Sequence, residues 1–268
     1  MSMISPPPDG VHLVLTCADL EAAGMNIALP HTVVDNRDGS KGATPLRPML
    51  AKDRVRYVGE PVALVVAESL QQARDAVEMI LFEADDLPAK MDVAPGGEPL
   101  HAEAPDNRAF DWHMGDEAKV ETAFAKAAHR VRLEVGDNRI IVNSMEPRGC
   151  YAEWTEGRLH VALGGQGVWA HKGFLTKAFG LPEDAVRVTN PDVGGGFGMK
   201  AMTYPEYFCV AQAARALGRP VRWMSERTEA MLTDNGGRDL VSWAEFAFDE
   251  NHKITAYRVD TRCNLGAY

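Results

Sequence analysis

The hydrophobic and polar positions change period several times along the chain, and each change marks a predicted element. Residues 53–69, "DRVRYVGEPVALVVAES", read as two short β runs broken at Gly59 to Pro61. Ser69 and Gln72 then form a capping box ahead of a helix over "LQQARDAVEMILFEA", residues 70–84. Residues 85–115 are rich in Pro, Gly and acids and have little periodicity, which predicts a connection and a domain boundary. Beyond it, "DEAKVETAFAKAAHR" has helical spacing, and β runs follow at "VRLEV", "RIIVNSM", "CYAEW" and "RLHVAL". Two helices, "VWAHKGFLTKAFG" and "YPEYFCVAQAARALG", end on glycines and are each followed by a strand, "VRVTN" and "VRWMS". From residue 238 the pattern is a hairpin of two long β runs joined at "ENH", the second reaching Tyr268. A chain that stops inside a β pattern lacks its last ladder partner, so one piece of a longer polypeptide or of a split subunit is expected.

Composition narrows the class without naming a chemistry. The 268 residues are 46% hydrophobic and 25% charged, enough for a buried core in one large or two smaller domains. A formal charge of -10, with scattered Lys and Arg, argues against tracking along nucleic-acid phosphates. No run approaches the ~18 apolar residues of a membrane span. "MSMISPPPDG" lacks the basic start and apolar core of a signal peptide, and a cytoplasmic location is expected. Cys17, Cys150, Cys209 and Cys263 are too dispersed for a C-x-x-C site and read as buried thiols.

The chemistry-bearing candidates are two glycine-rich stretches. In "NPDVGGGFGMK", Gly194 to Gly198 let main-chain N–H groups crowd an anionic or metal-bound oxygen, although a tight turn without a ligand has the same glycines. It is not a Walker A loop, because Met199 precedes Lys200 and Ala201 follows it. The other stretch, Gly165 to Ala170, fits G-x-G-x-x-A between a strand and a helix, but the expected ribose-binding acid is missing about 20 residues on. If the strands before the two stretches lie parallel in one sheet, both loops open at its carboxyl edge, and Gln166 can offer an amide N–H to an oxygen held by the second loop. The alternative for Gln166 is a helix-start side chain satisfying local backbone. No H-E-x-x-H, G-x-S-x-G or C-x-x-C motif is present. Glu146 reads as a surface or structural carboxylate, and Asp234, Arg238 and Asp239 as a solvated turn.

Taken in order, "VGEPVALVVAES", "NSMEPRG", "GGQ", "LPEDAVRVTNPDVGGGFGMK", "ARALGRPVRWMSERTE", "GRD" and "NLGAY" make the chain from about Pro8 onward resemble the molybdenum-binding large subunit of the xanthine dehydrogenase, aldehyde oxidase and carbon monoxide dehydrogenase family. The resemblance implies an α+β fold, with an aldehyde oxidase-type α/β hammerhead domain over 1–90, a linker over 91–115 and the first part of a molybdopterin-binding domain over 116–268. It implies cofactor contacts from Gln166, Gly195, Gly196, Phe197 and Gly198, with Gln166 and Phe197 bordering the molybdenum and no protein side chain ligating it. The cofactor would be molybdenum–molybdopterin in its cytosine dinucleotide form, with FAD and 2Fe–2S groups on separate subunits.

The family reaction is oxidative hydroxylation of an aldehyde, N-heterocycle or similar small substrate, using a base glutamate. That glutamate is expected beyond residue 268, so no catalytic residue is assigned within the chain, which would be inactive alone and need a missing carboxyl-terminal half or second large-subunit chain. Ala201 stands where xanthine-specific members carry a glutamate, which argues against purines. A second possibility is a non-catalytic cofactor-binding or assembly module.

Overall fold

A computed structural model describes residues 8–268. The amino-terminal residues behind the signal-peptide reading, and the start of the 1–90 domain, partly lie outside them. In chain order the elements are β1 (Val11–Leu15), α1 (Cys17–Ala22), β2 (Leu64–Ala67), α2 (Leu70–Glu78), α3 (Glu117–Lys126), β3 (His129–Asp137), β4 (Gly149–Thr155), β5 (Arg158–Leu163), α4 (Trp169–Phe179), β6 (Val186–Thr189), α5 (Pro205–Leu217), β7 (Val221–Met224), α6 (Arg227–Thr233), β8 (Leu240–Phe248) and β9 (Ile254–Cys263). They pack as two units. One contains the described residues through Pro30, with Leu46–Leu87 and Ile141–Asn235; the other contains His31–Pro45, Pro88–Ile140 and Gly236–Tyr268.

The first unit is organised around α5. Pro205 starts this helix where its missing N–H costs nothing, and Gly218 ends it at φ 61°, a left-handed value that suits glycine. Every residue from Pro205 to Ala214 is buried, Glu206 and Gln212 included, so the helix is enclosed on all sides. It packs on β4, β5 and β7 of a four-stranded sheet ordered β6-β5-β4-β7, and on β1 of the antiparallel β1–β2 pair. Burying a side chain such as Phe208 or Val210 contributes about 1.5–3 kcal/mol, so this helix carries much of the core. The Trp154 indole N–H donates to Ala211 O at 2.8 Å and ties the sheet to it.

One charge cluster lies inside this core. Arg148 is fully buried and donates to both oxygens of Glu206 at 2.8 and 3.2 Å, to Asp234 Oδ1 at 2.5 Å and to Thr233 Oγ1 at 2.8 Å. Its guanidinium lies 3.8 Å from the Tyr204 ring centroid. Burial opposes the charge, but Glu206 and then Asp234 outweigh it and hold the guanidinium pKa above its ordinary value. The solvated-turn expectation for Asp234 is therefore overturned: a buried cation demands paired anions, and Asp234 is one of them. Arg238 is exposed, as expected of a turn.

The second unit contains the antiparallel sheet β3-β8-β9, with α3 packed on β9, where the Arg258 guanidinium sits over the Phe124 ring and donates to Glu121 at 2.6 Å. Val131, Leu133 and Val135 share one face and remain exposed.

Several predicted boundaries move. Residues 53–58 are not a strand, because Glu60 captures the backbone instead: its carboxylate accepts the Arg56 N–H at 2.5 Å and its own N–H donates to Tyr57 O at 3.1 Å. Residues 139–145 form only the isolated bridge Ile140–Gly237; further on, Arg227 donates to the Asn143 side-chain oxygen and to Met145 O, the second a backbone acceptor that a ladder could have used. The α2 helix ends at Glu78 rather than Ala84. Its capping box is half made: Ser69 Oγ accepts the Gln72 N–H, while the Gln72 amide reaches Asp9 O and not the Ser69 N–H. β9 stops at Cys263, where the Asn264 N–H turns to Asp239 O at 2.9 Å, and Cys263 is exposed while Cys17, Cys150 and Cys209 are buried as expected.

Candidate functional site

The geometry begins with one parallel pair. β5 and β6 run side by side with Leu159 opposite Val186 and Ala162 opposite Thr189, joined by α4. Both glycine stretches therefore leave the carboxyl edge of the same sheet, where α/β sheets place ligands. Asn190 extends the pairing past the last strand residues: its Oδ1 accepts the Gly165 N–H at 3.2 Å and its Nδ2 donates to Gly165 O at 2.5 Å. The next residue is Pro191, which has no N–H to offer, so a side-chain amide does what backbone there cannot.

Beyond that clip the loops meet. Gln166 Oε1 accepts the Gly198 N–H at 2.8 Å, which fixes the amide and leaves Nε2 without an acceptor among the described residues. The Gln166 side chain lies against Gly196, where a Cβ would stand 2.6 to 2.7 Å from its amide and Cγ atoms. Gly195 and Gly198 take φ values of 98° and 89°, and Phe197, at 52°, is itself left-handed, an uncommon state for a bulky residue. This backbone aims the Phe197 ring outward, 78% exposed. The turn is a nest of bare peptide groups beside a free amide donor.

Beneath it lies an ion pair. Lys200, with no exposed side-chain surface, donates from Nζ to Glu146 Oε2 at 2.7 Å. The same oxygen accepts the Gly194 N–H at 2.8 Å, and the Glu146 N–H donates to Gly194 O at 3.1 Å. The hydrogen bond from Lys200, supported by that from Gly194, holds the Glu146 carboxyl below the usual glutamate range against the opposing effect of burial. A depressed folded pKa gives stability that is present above the unfolded value and is lost as pH falls through the folded one. The Gly194 amide is thus expected to stay protected through mild acid and to open only below the ordinary glutamate range. Hydrogen exchange at Gly194 against pH checks this, and opening already near pH 5 would contradict it.

Gln166, Gly195, Gly196, Phe197 and Gly198 are thus brought together, and Glu146 joins them as a structural carboxylate. Arg238 and Asp239 lie in the second unit and are not part of this cluster. Sequence reading assigned no role to Asn190 or Lys200, since nothing local marks an asparagine before proline or a lysine after a glycine turn as bonded to a distant segment. Among the described residues no group of three His, Cys, Asp or Glu side chains could hold a metal ion.

The family profile described as the molybdopterin cofactor-binding domain matches residues 100–268. The chain belongs to that family. Residues 6–88 match the aldehyde oxidase and xanthine dehydrogenase a/b hammerhead domain, so hammerhead and molybdopterin-binding segments follow one another in an α+β chain of the xanthine dehydrogenase and aldehyde oxidase group. The nicotine 6-hydroxylase large subunit of Paenarthrobacter nicotinovorans is 36% identical, over 97% of this chain and 32% of that protein. The carbon monoxide dehydrogenase large chain of Hydrogenophaga pseudoflava is 31% identical, over 97% of this chain and 33% of its own length. Among solved structures, reconstituted CO dehydrogenase from Oligotropha carboxidovorans superposes with a TM-score of 0.83 at 29% identity, covering 95% of this chain and 32% of that one. Quinoline 2-oxidoreductase from Pseudomonas putida 86 gives 0.78 at 32% identity, over 94% and 32% of the two chains. The molybdopterin-binding chain spans about a third of the length of the curated relatives it matches.

The loops fit such a group. Gln166 Nε2, without an acceptor among the described residues, is a donor for an anionic oxygen, and the absence of a Cβ on Gly196 gives the Gln166 side chain the room it occupies there.

Proposed function

We propose that the chain is the cofactor-bearing part of the catalytic subunit of a molybdenum hydroxylase acting on an aldehyde, an N-heterocycle or a similar small molecule. The observation that carries the reading is the Gln166–Gly198 hydrogen bond at the shared edge of β5 and β6, which joins both glycine loops into one cradle. When bound, the molybdenum–pterin group supplies oxygen transfer to an electron-poor carbon and accepts the electrons released. Gln166 orients one side-chain N–H toward it, Gly195, Gly196 and Gly198 let the backbone approach, and Phe197 walls the substrate side.

The pterin is assigned the cytosine dinucleotide form, and FAD and 2Fe–2S groups are assigned to companion subunits in the cytoplasm. The general base is a glutamate beyond residue 268, supplied by a carboxyl-terminal half or second chain, and the domain division at 1–90, 91–115 and 116–268 belongs to the same reading. Relatives named for nicotine and quinoline support an N-heterocycle, and Ala201 supports a non-purine.

The test is to produce the chain together with the products of the neighbouring reading frames. Molybdenum and pterin are then measured in the purified complex. About one of each per chain is expected, and a stable complex with neither ends this reading.

A further inference from the structure

We propose that Lys200 is a positioning residue for the second glycine loop, acting through Glu146 to hold Gly194 to Gly198 in the shape that receives the cofactor. The inference deepens the function proposed above and rests on it.

An ammonium with no exposed surface is costly to keep, and a leucine or methionine would fill the same space without desolvating a charge. Among the described residues its side chain makes one hydrogen bond, to Glu146 Oε2 at 2.7 Å. Glu146 keeps 35% of its side-chain surface exposed, so it has water available and does not need a lysine for solvation. What the lysine supplies is location. The carboxylate so placed takes the Gly194 N–H at 2.8 Å, while the Glu146 N–H donates to Gly194 O at 3.1 Å, and Gly194 is held at both backbone groups.

Glycine is required at that contact, because a Cβ on Gly194 would stand 2.5 Å from Glu146 Cβ. The main chain of Lys200 completes the fastening by accepting the Gln166 N–H at 3.1 Å. Nothing separates the pair from the first loop either: a Cβ on Gly164 would stand 3.3 Å from Glu146 Oε2 and 3.9 Å from Lys200 Nζ. The buried cation therefore places Glu146, which holds Gly194, while the main chain of the same residue holds Gln166, so residues 146, 166 and 194 are fastened at the point where the loops form the cradle.

The experiment uses the complete complex and compares wild type with Lys200→Met, Glu146→Gln and the double variant. Molybdenum and pterin content is read beside amide hydrogen exchange of the cofactor-free form. Lys200→Met is expected to lower molybdenum per chain by at least about tenfold, the scale seen for residues that orient metal-site ligands. It is also expected to speed exchange at Gly194 and Gly198 while β4 and β5 keep their protection. The double variant is expected to lose no more than Lys200→Met alone, because Lys200 acts on the loop through Glu146. Wild-type content and exchange in Lys200→Met, or equal acceleration in the loop and in β4 and β5, overturns the positioning role. If the wild-type complex carries no molybdopterin, the functional reading fails, and the exchange comparison alone decides what Lys200 does for the loop.

Discussion

Gly196→Val is expected to empty the cofactor site while leaving the fold standing. Gly196 is not among the residues with positive φ, so a β-branched residue is not excluded by the backbone. The collision is with a side chain: a Cβ would lie 2.6 Å from Gln166 Oε1 and 2.7 Å from its Cδ and Cγ, and valine adds two methyl groups beyond that. The clash reaches Cγ, so Gln166 cannot yield by rotating its tip alone. It must swing away, which deprives Gly198 N–H of its acceptor and removes the oriented donor from the cradle. The expected loss is ~10- to 100-fold in molybdenum and pterin content, with a thermal midpoint within about 4 °C of wild type. Metal analysis beside a thermal scan decides it; a variant that retains wild-type cofactor would refute the cradle.

The largest effect on stability is expected from Arg148→Met. Methionine fills much of the volume but leaves Glu206 and Asp234 facing each other in the core, both of them 7% exposed. Breaking a buried ion network from one side costs about 3–5 kcal/mol, a large part of the stability of an ordinary domain. Denaturant titration should show that loss. Glu206→Gln with Asp234→Asn in the Arg148→Met background should recover part of it, because the uncompensated charges are gone. If Arg148→Met alone unfolds at the wild-type midpoint, the cluster is not what holds α5 against β4 and α6.

How much of this was legible in the sequence depends on the range of the signal. Helices with glycine ends, α4 and α5, were placed almost to the residue, since capping and period are local properties. The parallel pairing of β5 and β6 entered only as a condition on the strand-helix-strand run, and the structure meets it. The false strand at 53–58 shows the limit: its alternation is real, but the Glu60 carboxylate captures the Arg56 N–H, and no pattern announces that. Asp234 was misread for a similar reason. Its partner Arg148 lies 86 residues away in sequence, and a short acidic turn looks solvated until the cation arrives. In the site, Gln166 and the 194–198 glycines stood out through composition. Glu146 was read as a structural carboxylate without its partners, and Asn190 and Lys200 had no signal, because their work is done by contacts between segments far apart in the chain.

The asparagine clip between Gly165 and Asn190 has an engineering consequence. It couples the first turn to the second before either has left the sheet, so neither can be lifted out as a self-contained cassette. A transplant onto another scaffold would have to carry the stretches around residues 146, 166 and 196 as a single block, with the adjoining strands in register; moving the glycine run alone would yield an ordinary flexible turn.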